Sequence, residues 1–335
     1  MSIQSTILFL LLFPLSTYAQ VESLVNDKDI IWAAKVETVT CFDALNGSLP
    51  PQLLETVPVK TVQDNAEAPT QSPFTEKLKS MIAEGAFPAY ADKSLLSPLS
   101  GREARSRLAI NDTIVSFDPE TYEEKIHILT RDLLETASFF VTQQLWRYNG
   151  RKNELETIAL AIAPAIESPS RPGHYQPLAW FKLPPPQKGL FNLKSRAVQF
   201  ASYVRHNISE EQIEVIKGEE THLKEILISR FKTGELTGYD QQRRPIPAAD
   251  IEDIFIQQDT IITFDPETYE ETVQVVRIEF GQLDITDFRV QQNWFFAPSR
   301  KTLQCSAQAV APAIPIIDEY GTRLALRPLF FWRKE

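Results

Sequence analysis

The stretch "DTIVSFDPETYEE" at residues 112–124 returns as "DTIITFDPETYEE" at residues 259–271, and eleven of the thirteen positions are identical. Further matches follow in the same order along the chain: "QQLW" (143–146) with "QQNW" (291–294), "AIAPAI" (161–166) with "AVAPAI" (309–314), and "QPLAWFK" (176–182) with "RPLFFWR" (327–333). A collinear series of matches indicates an internal repeat. The sequence therefore predicts a tandem duplication of one structural unit.

Two proline-containing segments suggest how the chain is divided. The polar stretch at about 46–73 is typical of a long linker, and "KLPPPQKG" (182–189) separates the two copies. Three consecutive prolines favour an extended, semi-rigid spacer. We therefore predict a first unit at 20–184 and a second unit at 185–335.

Within each unit, helical periodicity comes before strand periodicity. Apolar residues recur on one helical face in "FTEKLKSMIAEG" (74–85) and again in "HLKEILISRFKTG" (222–234). The turn sequences "NGRK" (149–152) and "APSRK" (297–301) then join pairs of strand-like segments. The predicted fold class is α+β, with two similar tandem domains that each consist of amphipathic helices followed by a small antiparallel β-sheet.

The N-terminus has the pattern of a secretory signal peptide. An apolar run at 7–15 precedes Thr17 and Ala19, which are small enough for a signal-peptidase site, so residues 1–19 are predicted to be removed. The run is shorter than the ~20 apolar residues that cross a bilayer, and we expect no transmembrane segment in the mature protein. In an oxidising compartment Cys41 and Cys305 could pair; the alternative is that both are buried thiols.

Composition and motifs exclude several classes of function. A net charge of −10 opposes a nucleic-acid partner, because a phosphate backbone requires clustered Lys and Arg. The signatures GxGxxG, GxxxxGK[ST], GxSxG and HExxH do not occur in the sequence. The four histidines do not occupy corresponding positions in the two units, which excludes a duplicated histidine site. We predict no enzyme activity, no catalytic residue, no cofactor and no bound metal.

The motif "FDPETYEE" (117–124 and 264–271) has two structural interpretations. Asp before Pro, followed by Glu, is typical of a helix start. An Asx-type turn that leads into a strand is the alternative, because the β-branched "TVQVVRIEF" (272–280) follows the second copy. The acidic side chains also allow a calcium site or a carboxylate pair for glycoside chemistry, but the motif has no Gly for a calcium loop and nothing marks a sugar cleft.

Aromatic residues recur in the predicted strands. Successive side chains of a strand point to opposite faces, so the run Trp294-Phe295-Phe296 is expected to leave at least one ring outside the core of its own unit unless a helix covers it. Such rings have to be covered by a partner or by the other unit. Our hypothesis is that these strands and the closing segments form contacts within a larger assembly. The candidate interaction residues are Trp146, Tyr148, Trp180, Trp294, Phe295, Phe296 and Trp332.

The second unit resembles a known family. The stretch "DITDFRVQQNWFFAPSRKTLQCSAQAVAPAI" (284–314), followed by "RPLFFWR" (327–333), is similar to the gliding-motility GldN family, called PorN in the type IX secretion system. The segment "GELTGYD" (234–240) resembles the Gly-x-x-x-x-Tyr segment of that family. The resemblance covers about 220–333 well and 74–182 more faintly.

The resemblance implies a non-enzymatic periplasmic subunit of Bacteroidetes. In that family the subunit assembles with a lipoprotein partner, GldK or PorK, into a large ring beneath the outer membrane. We therefore expect the same lipoprotein partner and further copies of this chain. We also expect an association with the outer membrane through partners. The chain departs from the family pattern at Gln292–Asn293, where the family has an acidic pair, and in carrying two modules, so the ring stoichiometry and a role as a specialised paralogue stay open.

A second hypothesis belongs to a different class of protein. The chain would then be an exported two-domain ligand-binding protein or a carboxylate-based enzyme of the cell envelope. Equivalent, solvent-exposed polar clusters in a cleft would favour this alternative, whereas flat aromatic surfaces on both units would favour the structural subunit.

Overall fold

The computed structural model of the protein describes residues 21–42, 73–117, 124–171, 173–184, 200–264, 271–318 and 320–334. The predicted signal peptide, the predicted linker up to residue 72 and the proposed unit boundary at 184/185 fall outside these ranges or at their edge. Those three assignments stay predictions.

The described helices are short. They are α1 (21–25), α2 (Pro73–Ala83), α3 (Gly101–Arg107), α4 (Leu133–Thr136) and α5 (Leu223–Lys232). Helices α2 and α5 confirm the two amphipathic helices that the sequence predicts. Single 3-10 turns occupy Glu210–Gln212, Ala248–Asp250, Asp253–Phe255, Gln282–Asp284 and Pro298–Arg300.

Strands make up most of the fold. Those before residue 185 are β1 (Ile30–Thr40), β2 (Ala89–Tyr90), β3 (Ala109–Phe117), β4 (Glu124–Asp132), β5 (Phe139–Asn149), β6 (Glu154–Glu167), β7 (Tyr175–Pro177) and β8 (Trp180–Lys182). Those after it are β9 (Phe200–Ser209), β10 (Ile213–Lys217), β11 (Ile256–Phe264), β12 (Glu271–Glu279), β13 (Asp287–Ala297), β14 (Thr302–Ile317), β15 (Arg323–Pro328) and β16 (Trp332–Arg333).

Two antiparallel sheets carry the fold. The first has the strand order β10-β1-β5-β6-β8-β2, with β7 also paired to β6, and the second has the order β15-β14-β13-β9, with β16 also paired to β14. The strand pairs β3–β4 and β11–β12 form separate two-stranded sheets. The protein is thus mostly antiparallel β-structure with few helices, so the predicted α+β class is correct only in part.

The two units repeat the same pairing register. Phe140 lies opposite Pro164 in the first sheet, and Phe288 lies opposite Pro312 in the second. Both strand pairs also shift register at the same place, just before Gln144 and just before Gln292. A β-bulge is a specific local feature of a strand pair, so its recurrence at equivalent residues confirms the internal repeat.

The two units share their hydrophobic cores. One core joins Trp146 and Tyr148 of the first sheet to helix α5 and to Phe288 of the second unit. The other core joins helix α2 and Phe140 of the first unit to Trp294 and Phe296 of the second. The prediction of two separate domains is therefore correct only in part, because neither unit buries its apolar face without the other.

One strand of the second unit completes the sheet of the first. After β9 pairs with β13, the chain turns at Glu210–Gln212 and β10 pairs with β1. Gly218 follows β10 with a positive φ of 74°, and a Cβ atom added there would lie 2.7 Å from the Ile31 carbonyl oxygen. A residue without a side chain is therefore required where the chain leaves this strand.

Candidate functional site

The seven aromatic residues proposed as an interaction surface are buried. Trp146, Tyr148, Trp294 and Phe296 are fully buried, and the most exposed of the set, Phe295, has only 7% of its surface accessible. These residues therefore do not form an exposed surface, although Trp294 and Phe296 do contact residues outside their own unit. Trp180 and Trp332 are also buried, at 4% exposure each.

The physical reason is that each unit covers the aromatic strand of the other. Trp294 packs edge-on against Phe42 of the first unit, with ring centroids 5.2 Å apart. Phe296 contacts Phe74 of helix α2 at 5.8 Å. The indole nitrogen of Trp332 donates a hydrogen bond to the carbonyl oxygen of Asn153 at 2.9 Å, which again links the two units. Sequence alone indicates that these rings need cover, but not that the chain itself supplies it.

Two equivalent glutamines meet between the sheets. The Gln292 amide nitrogen donates to Gln144 Oε1 at 2.7 Å, and the Gln144 amide nitrogen lies 3.4 Å from Gln292 Oε1. Gln144 Oε1 also accepts from Trp146 Nε1 at 2.9 Å. Because Gln144 and Gln292 occupy the same position in the two units, this reciprocal pair lies where the two halves of the repeat face each other.

The buried titratable groups near this contact are neutral at pH 7. Burial lowers the pKa of His206 to about 4, and neither ring nitrogen has a hydrogen-bond partner among the described residues. Burial likewise raises the pKa of the Cys305 thiol to about 12. Cys41 and Cys305 are both buried thiols, which agrees with the second of the two alternatives for the cysteines.

The repeated acidic motif connects two strands in each unit. Phe117 pairs with Glu124, and Phe264 pairs with Glu271, so the motif begins on one strand of a hairpin and ends on the other. The six residues between them, at 118–123 and 265–270, lie outside the described residues. The motif leads into a strand in both units, as the second interpretation expects, and the helix-start interpretation concerns residues outside the described ranges.

Both hairpins expose apolar side chains. On one face of β3–β4, Val115, Ile126 and Ile128 have 46%, 64% and 70% of their surface exposed. The equivalent residues of β11–β12 keep this property, although each one is a different β-branched residue: they are Ile262, Val273 and Val275, at 51%, 58% and 63%. Their sequence signal is the β-branched run beside the acidic motif, and sequence reasoning did not identify it as a surface.

One cleft lies between the two units. It has a volume of about 270 Å³ and is lined by residues of both units, among them Asn153 and Glu154 from the first and Tyr239, Trp332 and Lys334 from the second. Lys334 forms an ion pair with Glu154 at 2.6 Å across it. The cleft lies at the junction between the two units.

The described ranges were also compared with the requirements of a metal site and of a membrane-spanning helix. No group of three or more His, Cys, Asp or Glu side chains there is arranged to hold a metal ion. Of the helices in those ranges, none combines the length and the apolar character that spanning a bilayer requires.

The fold and the hairpins define a tandemly duplicated, mostly antiparallel β-protein whose two halves share their cores. The chain belongs to the GldN family: the family model of the gliding motility associated protein GldN matches residues 25–215 and again residues 203–333. The two matches overlap at 203–215, the stretch in which β9 joins one sheet and β10 the other. No curated protein matches the chain.

Proposed function

We propose that the chain is a non-enzymatic structural subunit of a periplasmic complex for type IX secretion and gliding motility. Membership of the GldN family makes it a gliding-motility component, and the finer role is our inference. The observation that carries the proposal is the pair of hairpins, which repeat an exposed apolar face on both units. An isolated two-stranded hairpin is marginally stable in water, so such faces are expected to be covered in an assembly.

The proposed partners are a GldK/PorK-like outer-membrane lipoprotein and further copies of this chain. The signal-peptide pattern at 1–19 supports export, and an exported subunit held by a lipoprotein would be periplasmic and associated with the outer membrane through that partner. The assembly is expected to be ring-like, as the family resemblance implies.

The test is affinity capture of the tagged chain from detergent-solubilised cell envelopes, followed by mass-spectrometric identification of what co-purifies. We expect an outer-membrane lipoprotein and untagged copies of the chain in stoichiometric amounts. The double variant Ile128→Thr/Val275→Thr should reduce that recovery at least about fivefold, since it changes one exposed residue in each hairpin.

The matched control is Leu324→Thr, because Leu324 is 66% exposed but lies on β15, outside the hairpins. It should leave the recovery unchanged. A chain that is recovered as a monomer without envelope proteins would contradict the proposed function.

A further inference from the structure

One face of each hairpin has the same chemistry in both units. Residues that lie directly opposite in antiparallel strands share a face, and so do residues two apart on one strand. In hairpin 1, which is β3–β4, and in hairpin 2, which is β11–β12, this face contains two opposed pairs of β-branched residues. We call it the shared face; its residues are Thr113, Val115, Ile126 and Ile128 in hairpin 1 and Thr260, Ile262, Val273 and Val275 in hairpin 2.

The opposite faces of the two hairpins differ. Ile110 and Arg131 of hairpin 1 lie opposite each other there, and the equivalent residues of hairpin 2 are Gln257 and Ile278. The two copies of the repeat thus keep the chemistry of one face and not that of the face behind it. This difference is expected if the shared faces of both hairpins contact the same kind of surface.

The shared face is exposed in both hairpins. The apolar residues Ile128 and Val275 are the most exposed in each, at 70% and 63%. Within the described ranges each hairpin is a separate sheet of two strands. A two-stranded hairpin is marginally stable in water unless its apolar face packs on something. The surface that packs on the two shared faces therefore comes from outside the described part of the chain.

The shared face is complementary to another copy of itself. Its central side chains are β-branched and carry no charge, so two such faces can pack against each other as the two sheets of a β-sandwich do. Packing of this kind removes the apolar surface of both hairpins from water at once. A charged or strongly polar partner surface would not do so.

Charges at the ends of the hairpins favour one direction of stacking. Glu124 lies at the tip of hairpin 1, on the side of the shared face, and Glu271 lies at the tip of hairpin 2. Arg277 lies near the base of hairpin 2 on the same side, exposed and paired with Glu279 of its own strand at 3.4 Å. Hairpins that stack tip to base bring Glu124 close to Arg277, whereas stacking tip to tip brings Glu124 close to Glu271.

We propose that hairpin 1 of one copy of this chain stacks through its shared face on hairpin 2 of a second copy, tip to base. The inference rests on the proposed function in one respect, namely that copies of the chain associate. The contact joins two different parts of the chain, so it is heterologous and continues from copy to copy into a closed ring or an open filament. Each copy inside such an assembly has both of its shared faces covered. A two-fold contact between two copies of hairpin 2 would leave hairpin 1 uncovered.

The experiment measures self-association of the purified mature chain by sedimentation velocity, without the lipoprotein. Ile126→Thr/Ile128→Thr changes hairpin 1, and Val273→Thr/Val275→Thr changes hairpin 2. Threonine keeps the preference for a strand and removes apolar contact area. The wild type should form species larger than a dimer, and each variant alone should associate at least about tenfold more weakly.

An equimolar mixture of these two variants gives the decisive result. Each molecule in it has one intact hairpin, and an intact hairpin 1 can meet an intact hairpin 2 of the other variant. The mixture should therefore form dimers and nothing larger, because no further intact hairpin is left to continue the series.

The matched control is Ile110→Thr/Leu129→Thr. It changes two exposed residues on the opposite face of hairpin 1 in the same way. The control should associate as the wild type does. Far-UV circular dichroism of the control and of both hairpin variants should match that of the wild type.

Charge reversal tests the direction of stacking and serves as the measurement if the threonine variants do not fold. Glu124→Arg and Arg277→Glu should each weaken self-association by about two- to fivefold, the range of an exposed ion pair. A chain that carries both changes should regain the association of the wild type. Without that recovery the tip-to-base contact is wrong.

Four further results would overturn the proposal. They are a monomeric wild type, a mixture without dimers, a control as weak as the hairpin variants, and a hairpin 1 variant that still dimerises alone as a two-fold contact through hairpin 2 requires. If the purified wild type is monomeric while envelope capture still recovers the lipoprotein, this inference fails and the proposed function stands.

Discussion

The aromatic strands and the acidic hairpins are both repeated in the chain, yet they lie in opposite environments. Trp146 and Trp294 are fully buried because each unit covers the other, whereas Ile128 and Val275 are among the most exposed apolar residues of the two hairpins. The repeat therefore preserves residues for two physical reasons. One set holds the two halves together, and the other, in the function that we propose, makes contacts outside the folded chain.

The largest expected effect on stability is at the buried aromatic residues. Trp294→Ala removes a fully buried indole from the core that also contains helix α2, and should lower the free energy of unfolding by about 3–5 kcal/mol. Denaturant unfolding should remain a single transition, because the cores are shared. Tyr320→Ala, at an 84% exposed aromatic, is the control and should change little. Two separate transitions, with the first unit unaffected, would contradict the shared core.

A pH-dependent effect of similar size is expected from His206. Its folded pKa of about 4 lies below the unfolded value of about 6.5, so the unfolded chain binds the proton more readily between these values. The associated stability is complete above about pH 6.5 and is lost as the pH falls through 4, by roughly 3 kcal/mol in total.

The measurement is the pH profile of stability in the wild type minus that in His206→Leu, which subtracts the titration of the carboxylates. His174→Gln changes an exposed histidine and should leave the profile as it is in the wild type. A difference profile that is flat between pH 4 and 6.5 would show that His206 is protonated without cost in the folded chain.

The effects of substituting Gln144 and Gln292 on the free energy of unfolding should be coupled. Gln292→Leu removes one of the hydrogen bonds that Gln144 Oε1 accepts in a buried site, at a cost of about 0.5–1.5 kcal/mol. Gln144→Leu should cost more, because Trp146 Nε1 also loses its acceptor. In the double variant the loss should be smaller than the sum of the single losses. Strict additivity in a double-mutant cycle would show that the two amides do not interact.

The smallest effect on stability is expected at the hairpins. Ile128→Thr/Val275→Thr should change the free energy of unfolding by less than about 0.5 kcal/mol per site, as surface substitutions usually do. The same variant should lose envelope partners, as described for the capture experiment. A large drop in the stability of the isolated chain would mean that these residues are structural, and it would remove the contrast between the two repeated regions.

The sequence predicts the repeat, the helices α2 and α5 and the strand pairs β5–β6 and β13–β14, because periodicity and turn residues are local signals. It does not predict which unit covers which aromatic ring, since the hydrophobicity of Trp294 is the same whether its neighbour is Phe42 or a separate protein. The exposed apolar residues of the hairpins were missed for a related reason, as apolar character alone does not determine burial.

Strand β10 has a consequence for the order in which the molecule can fold. It fills the edge of the first sheet at β1, but it lies after β9 in the chain, so residues 30–182 form a sheet with an open edge until residue 217 is available. A chain made or transported from its N-terminus therefore presents an unpaired β1 edge for the time needed to deliver some 35 further residues. During that interval the unpaired β1 edge can bind a chaperone or pair with a wrong strand. The interval ends when β10 pairs with β1.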